Sequence, residues 1–188
     1  MDAVLGISNV SVPSVGDLSD VVLAKKGDKV AFERLFRKHS VSLYRVARGI
    51  LKCESDIEDA TQETIIKAYQ KLASLKSNLY FKTWLIKILI NECNRILRAN
   101  KKTVNLVEIE PASPDSQYEN LELFSVVQSL DTDLRIVTLL YYYEGLPQKD
   151  IAEVLELPVG TVSSRLSRSR EKLRANLNEK QEVVDNGR

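Results

Sequence analysis

Side chains that commonly run catalysis or hold metal are sparse and scattered in this chain. The only histidine is His39, and the two cysteines, Cys53 and Cys93, stand far apart. A zinc site needs about four ligands at close spacing. A catalytic nucleophile needs a base beside it. Neither arrangement can be assembled from these residues, so we expect no metal, no cofactor and no enzyme.

A different chemistry is written in the C-terminal third. Val162, Leu166, Leu173 and Leu177 recur at helical spacing and form an apolar stripe. At 100° per residue, Ser164, Ser167, Arg168 and Glu171 point directly away from that stripe. Thr161, Ser163, Arg165 and Lys172 lie on its flanks. A helix packed by one face and lined by hydroxyls and arginines on the other can enter a DNA major groove. Arg168 has the reach and fork geometry to read a guanine. The competing interpretation is a solvated helix end whose basic charges suit the helix dipole.

The elements that must position this helix are also legible. Pro147 fits the first turn of a shorter helix reaching about Leu155 and burying Ile151, Ala152 and Leu155. Glu156, Leu157 and Pro158 then make a turn, and the second helix begins near Gly160 or Thr161. A short helix, a tight turn and a basic second helix make a helix-turn-helix.

Charge is distributed unevenly although its net value is only +1. Lys76 to Lys102 holds seven basic residues and one acid, and Arg165 to Arg174 holds five and one. Thr103 to Asp133, between them, holds seven acids and no base. Two basic patches split by an acidic connector suggest two contacts with a polyanion. The sequence has no secretory signal and no apolar run long enough to span a membrane, so we expect a cytoplasmic protein.

Seven glycines and five prolines in 188 residues favour helices over turn-rich β structure. The expected fold is all-α, with two small helical domains joined by a flexible acidic linker. Residues 1–22 read as a mobile tail, 23–100 as the first domain and 101–120 as the linker. Residues 121–178 read as the second domain and 179–188 as a C-terminal tail. In the first domain Phe32, Leu35, Phe36, Leu43, Val46, Ala47 and Ile50 recur at three- and four-residue spacing. Ser55 and Glu58 make a capping-box signature for the next helix. That helix, over 55–73, buries Ile57, Ala60, Thr64, Ala68 and Leu72. Its other face carries Asp59, Gln62, Glu63, Ile66 and Gln70, an apolar residue amid acids and amides that hints at a protein partner.

A further helix, from about Phe81 to Ala99, is apolar around most of its girth, with Phe81, Leu85, Ile88, Leu89, Ile96 and Leu97. Lys87, Asn91, Asn94, Arg95 and Arg98 form one polar stripe that can track a nucleic-acid strand. Tyr80 is the candidate for base stacking, and Trp84 is expected in the core.

Together these residues resemble the extracytoplasmic-function sigma factors of the sigma-70 family over roughly residues 23–177. The resemblance is carried by Asp56-Ile-Glu-Asp-Ala-Thr-Gln-Glu-Thr-Ile-Ile-Lys-Ala-Tyr69 and by Lys82-Thr-Trp-Leu-Ile-Lys-Ile-Leu-Ile-Asn91. It continues in Tyr143-Glu-Gly-Leu-Pro-Gln-Lys-Asp-Ile-Ala-Glu-Val-Leu155 and Pro158-Val-Gly-Thr-Val-Ser-Ser-Arg-Leu-Ser-Arg168. It implies a region 2 bundle and a region 4 helix-turn-helix.

The resemblance also implies roles. Asp59, Gln62, Glu63, Ile66 and Gln70 would contact the clamp of core RNA polymerase. Tyr80, Lys82, Lys87, Asn91, Asn94, Arg95 and Arg98 would hold the minus-ten promoter element as single-stranded DNA, with Asn91 at a flipped-base pocket. Thr161, Ser163, Ser164, Arg165, Ser167 and Arg168 would bind the minus-thirty-five element. An anti-sigma protein is a further implied partner, and the acidic linker would thread into the polymerase.

Three positions depart from the family pattern. Glu156 stands where Gly is frequent, Ser163 stands where a basic residue is common, and Lys76-Ser-Asn-Leu79 does not match the usual specificity loop. The tail has no assignable counterpart. The rival function is a stand-alone helix-turn-helix regulator whose first domain dimerises or senses.

Overall fold

The computed structural model describes residues 15–102 and 121–185, with side chains described over 16–100 and 124–176. These residues form two compact units, one over 15–102 and the other over 121–185. Among them there is no strand, and no helix is long and apolar enough to cross a membrane.

The first unit is a bundle of four helices: α1 (Val15–Lys25), α2 (Lys29–Ile50), α3 (Glu54–Lys71) and α4 (Phe81–Lys102). α1 corrects the tail expectation, because residues 15–22 are helical and Val21 is fully buried. Its end is built by Gly27, whose φ of 97° allows the left-handed turn that closes a helix. Gly27 N–H donates to the Ala24 carbonyl and Asp28 N–H to the Leu23 carbonyl, which satisfies the last carbonyls of α1. Asp28 then caps α2, accepting from the amides of Val30 at 2.9 Å and Ala31 at 3.0 Å. Such a cap contributes about 1 kcal/mol. Carboxylates of α1 also meet cations of α2, as Asp17–Lys38 and Asp20–Arg34. Exposed pairs of this kind add at most about 1 kcal/mol, so burial of Val21 and Ala24 does more to seat the helix.

The capping box does not form. α3 starts two residues earlier than the Ser-x-x-Glu pattern requires, with Cys53 in the cap position and Ser55 already inside the helix. Glu54 and Asp56 in the first turn complement the helix dipole instead. Beyond the cap, α3 buries Ile57, Ala60, Thr64 and Ala68, and Leu72 follows in a short 3-10 turn.

α4 runs three residues past the predicted end, into the first two positions assigned to the linker. The remainder of that linker lies outside the described residues. The buried set of α4 differs in part from the expectation: Ile86, Ile90, Glu92 and Cys93 are buried, whereas Ile88, Leu97 and Trp84 are half-buried. The core face is therefore rotated, because α2 and α3 both pack on this helix. Phe36, expected in the core of α2, is likewise half-buried.

His39 of α2 sits tilted against Phe81, with ring centroids 5.7 Å apart. Burial pushes its pKa down from 6.5 to about 4; Lys82 and Lys38 add to the shift and Asp17 opposes it. Between those two values the unfolded chain takes a proton that the folded chain refuses. Stability must therefore fall as pH drops through that window. We expect the urea midpoint of unfolding to decline from pH 7 to pH 5, and His39→Gln to flatten the decline relative to wild type. Parallel profiles for the two proteins would overturn this.

The second unit comprises α5 (Leu121–Gln128), α6 (Thr132–Thr138), α7 (Gln148–Leu155) and α8 (Val159–Asp185). Its core holds Phe124, Val126, Val127, Leu130, Leu134, Leu139 and Leu173, with Tyr143 packed edge-on to Phe124. A single π-helical turn at Leu139–Tyr143 extends α6 before Gly145, at φ 66°, turns the chain toward α7. α8 is helical through Asp185, so most of the expected C-terminal tail continues the helix.

Candidate nucleic-acid and partner interfaces

The helix-turn-helix is formed by α7 and α8. Pro147 stands at the N-cap of α7 rather than inside its first turn, and its carbonyl accepts from Asp150 at 2.9 Å and Ile151 at 3.0 Å. α7 buries Ile151, Ala152 and Val154, while Leu155 is half-buried. The turn depends on Glu156, the one non-glycine residue with positive φ among the described residues (φ 55°, ψ 44°). Pro158 caps α8 by accepting from Thr161 at 2.9 Å and Val162 at 3.2 Å, so the helix begins at Val159, slightly before the expected start.

The left-handed conformation costs a residue with a Cβ roughly 1 kcal/mol more than glycine. Glu156→Gly should therefore raise the melting temperature of this unit by a few degrees, and Glu156→Val should lower it. A thermal melt checks both; a destabilised glycine variant would show that the Glu156 side chain contributes more than its backbone costs.

α8 buries Val162, Leu166 and Leu173 as its spacing predicts, and also Ser169. The Ser169 hydroxyl bonds to the carbonyls of Arg165 and Leu166, at 3.0 and 3.1 Å, and so fits the apolar face. Ser163, Ser164 and Arg168 are exposed, and Thr161, Arg165 and Ser167 are half-buried. Ser164 donates to the Thr161 carbonyl at 3.0 Å, leaving its oxygen lone pairs to accept.

Two of the flanking cations are engaged. Arg165 pairs with Asp133 and Lys172 with Asp131, both carboxylates coming from the start of α6. Lys172 holds the Asp131 carboxyl below the usual carboxylate range. These four residues, with Arg168 and Glu171, line an open cleft of about 680 Å3. Sequence reasoning grouped Asp131 and Asp133 with the acidic connector and missed their pairing.

In the first unit, Asp59, Gln62, Ile66 and Gln70 are exposed along one side of α3, with Glu63 half-buried beside them. Ile66 is 49% exposed. Tyr69, not singled out from sequence, is 45% exposed and packs edge-on against Phe32 at 5.2 Å. The i, i+3, i+4 spacing of the five chosen residues was the signal that they share a face.

On α4, Asn91, Asn94, Arg95 and Arg98 are exposed, while Lys82 and Lys87 are half-buried. Tyr80 stands just before the helix, 55% exposed. Lys82 lies about 140° around the helix from Lys87, outside the main stripe. Glu92, the one acid in this basic run, is buried between α3 and α4. It accepts from Lys67 of α3 at 2.6 Å and from Arg95 at 2.8 Å. Burial alone would raise the Glu92 pKa, but the two hydrogen bonds outweigh it and hold the carboxyl below its usual range. Glu92 thereby orients Arg95 and joins the helix bearing Ile66 to the helix bearing Asn91.

The segment between α3 and α4 is anchored from α1. Lys25 donates to the Leu75 carbonyl at 2.6 Å and to Asn78 Oδ1 at 3.2 Å. Among the described residues, no group of three His, Cys, Asp or Glu side chains gathers to hold a metal ion.

Two helical units, one with a helix-turn-helix and one with a polar, basic helix face, define a class of DNA-directed regulatory proteins. Comparison with known proteins narrows the class. Residues 35–103 match Sigma-70 region 2, and residues 120–173 match Sigma-70, region 4. The chain is 33% identical over 178 residues to the ECF RNA polymerase sigma-E factor of Escherichia coli strain K12, covering 82% of this chain and 92% of that protein. It is 30% identical over 174 residues to the protein of the same name from Haemophilus influenzae, with the same coverage. The solved structure of the sigma factor RpoE from Bartonella quintana, bound to the anti-sigma factor NepR, superposes with a TM-score of 0.66 at 26% identity. It covers 78% of this chain and 96% of that one. CnrH, in complex with the cytosolic domain of CnrY, gives a TM-score of 0.64 at 28% identity, covering 87% and 98%. This chain belongs to the ECF sigma factors of the sigma-70 family.

Proposed function

We propose that three faces divide the work of this sigma factor. The α3 face of Asp59, Gln62, Glu63, Ile66 and Gln70 binds the clamp of core RNA polymerase. Tyr80 and the α4 stripe of Lys87, Asn91, Asn94, Arg95 and Arg98, with Lys82 at its edge, hold the opened minus-ten element. The exposed residues of α8, with Arg168 at their centre, read the minus-thirty-five element as duplex. The chain brings binding energy and specificity and no catalytic group of its own. It acts in the cytoplasm, where the polymerase and promoters are. An anti-sigma protein is a further partner, by analogy with the Bartonella quintana complex.

The observation that carries the reading is Ile66, half-exposed among Asp59, Gln62, Glu63 and Gln70 on the side of α3 opposite its packed face. A stand-alone regulator would need an apolar dimer surface, whereas the α4 stripe is polar and basic. The test is co-elution of the purified chain with bacterial core polymerase, followed by transcription from a promoter library. Tight operator binding by the free chain, with no polymerase association, would overturn the proposal in favour of the stand-alone regulator.

A further inference from the structure

Arg165 and Lys172, in the basic run from Arg165 to Arg174, are tied to carboxylates at the start of α6. The pairs contribute little to the fold. Asp131 and Asp133 have side chains 71% and 69% exposed, and pairs so solvated add at most about 1 kcal/mol. Their position is more informative than their strength. Both line the same cleft as Arg168, together with Arg165 and Lys172, the cations they pair with.

Affinity of a basic surface for DNA of any sequence comes from phosphates releasing their counterions. A cation already neutralised by a carboxylate contributes little to that release, and the carboxylate stays close to any phosphate that displaces it. Base reading by Arg168 and the serines is untouched by this neutralisation. Specificity is the difference between two affinities, so lowering the non-specific one raises it.

We propose that Asp131 and Asp133 are specificity-determining residues: by neutralising Lys172 and Arg165, they suppress binding of α8 to DNA of arbitrary sequence. The inference rests on the reading of α8 as the DNA-facing helix.

The test uses the full chain and a promoterless duplex, with binding followed by fluorescence anisotropy over a range of salt concentrations. Asp131→Asn with Asp133→Asn should raise affinity about tenfold at low salt and steepen the slope of log affinity against log salt by about 2. Arg165→Ala should remove much of the gain when it is added to Asp133→Asn. Asp133→Glu should behave as wild type, and thermal melts should be unchanged throughout. An unchanged salt slope overturns the proposal. So does a gain that persists in the Asp133→Asn, Arg165→Ala double variant, because the effect is then one of general charge. Failure of the underlying reading looks different: Arg168→Ala would leave minus-thirty-five use by the holoenzyme intact.

Discussion

Ile66→Asp should abolish co-elution of this chain with core RNA polymerase while leaving its melting temperature nearly unchanged. The two halves of that expectation have separate physical grounds. Ile66 is 49% exposed, on the side of α3 opposite the buried line of Ile57, Ala60, Thr64 and Ala68. Aspartate at this mid-helix site costs the fold about 0.5 kcal/mol in propensity. In a complex the accounting differs. An apolar anchor at the centre of an interface contributes about 2 kcal/mol or more. The variant also buries a carboxylate without a partner, at a further 1–3 kcal/mol or so. The expected loss of affinity is therefore at least about a hundredfold. Gln70→Ala, at the edge of the same face, should cost severalfold at most. Co-elution undiminished in Ile66→Asp would show that α3 meets the polymerase by another face, or not at all.

The parts of this architecture that were legible in sequence are those with local causes. The helix-turn-helix could be read because Pro147, Pro158 and the Val162–Leu166–Leu173 spacing each act within a few residues. The α3 face could be read because 59, 62, 63, 66 and 70 share one side of any helix placed there. α1 was overlooked because Ser, Val, Gly and Asp dominate the first residues, and its stripe of Leu18, Val21 and Ala24 is short. Gly27 followed by Asp28 was the available signal, a helix stop beside a helix start. Features made by distant residues were invisible. A charge count along the chain assigns Asp131 and Asp133 to an acidic block, but folding sets them against Lys172 and Arg165, which lie 41 and 32 residues away. Glu92 counted as a lone acid in a basic run, whereas it is the buried acceptor that joins α3 to α4. Helix periodicity says which residues share a face and nothing about which helix will cover it, so the core face of α4 was misplaced by part of a turn.

Arg168→Ala and Asn91→Ala should damage promoter use in different and separable ways. Both side chains are exposed, on α8 and α4 respectively, so truncation leaves each fold intact. Arg168 is expected to read duplex DNA. A bidentate arginine–guanine contact contributes about 1–3 kcal/mol of discrimination, so its loss should flatten preference at one minus-thirty-five position roughly tenfold. The minus-ten preference should stay as it was. Asn91 is expected to meet a base withdrawn from the duplex. Extraction costs a few kcal/mol, which the receiving pocket must offset. Asn91→Ala should therefore reduce formation of the open complex by tenfold or more, most severely on promoters with a poor minus-ten element, with minus-thirty-five preference retained. Holoenzymes carrying each variant, transcribing one randomised promoter library, give both profiles in a single experiment. Two flattened positions at different ends of the promoter would assign α8 and α4 to separate elements. Identical profiles would mean that the two units act on one element, and the division of labour proposed for this sigma factor would fail.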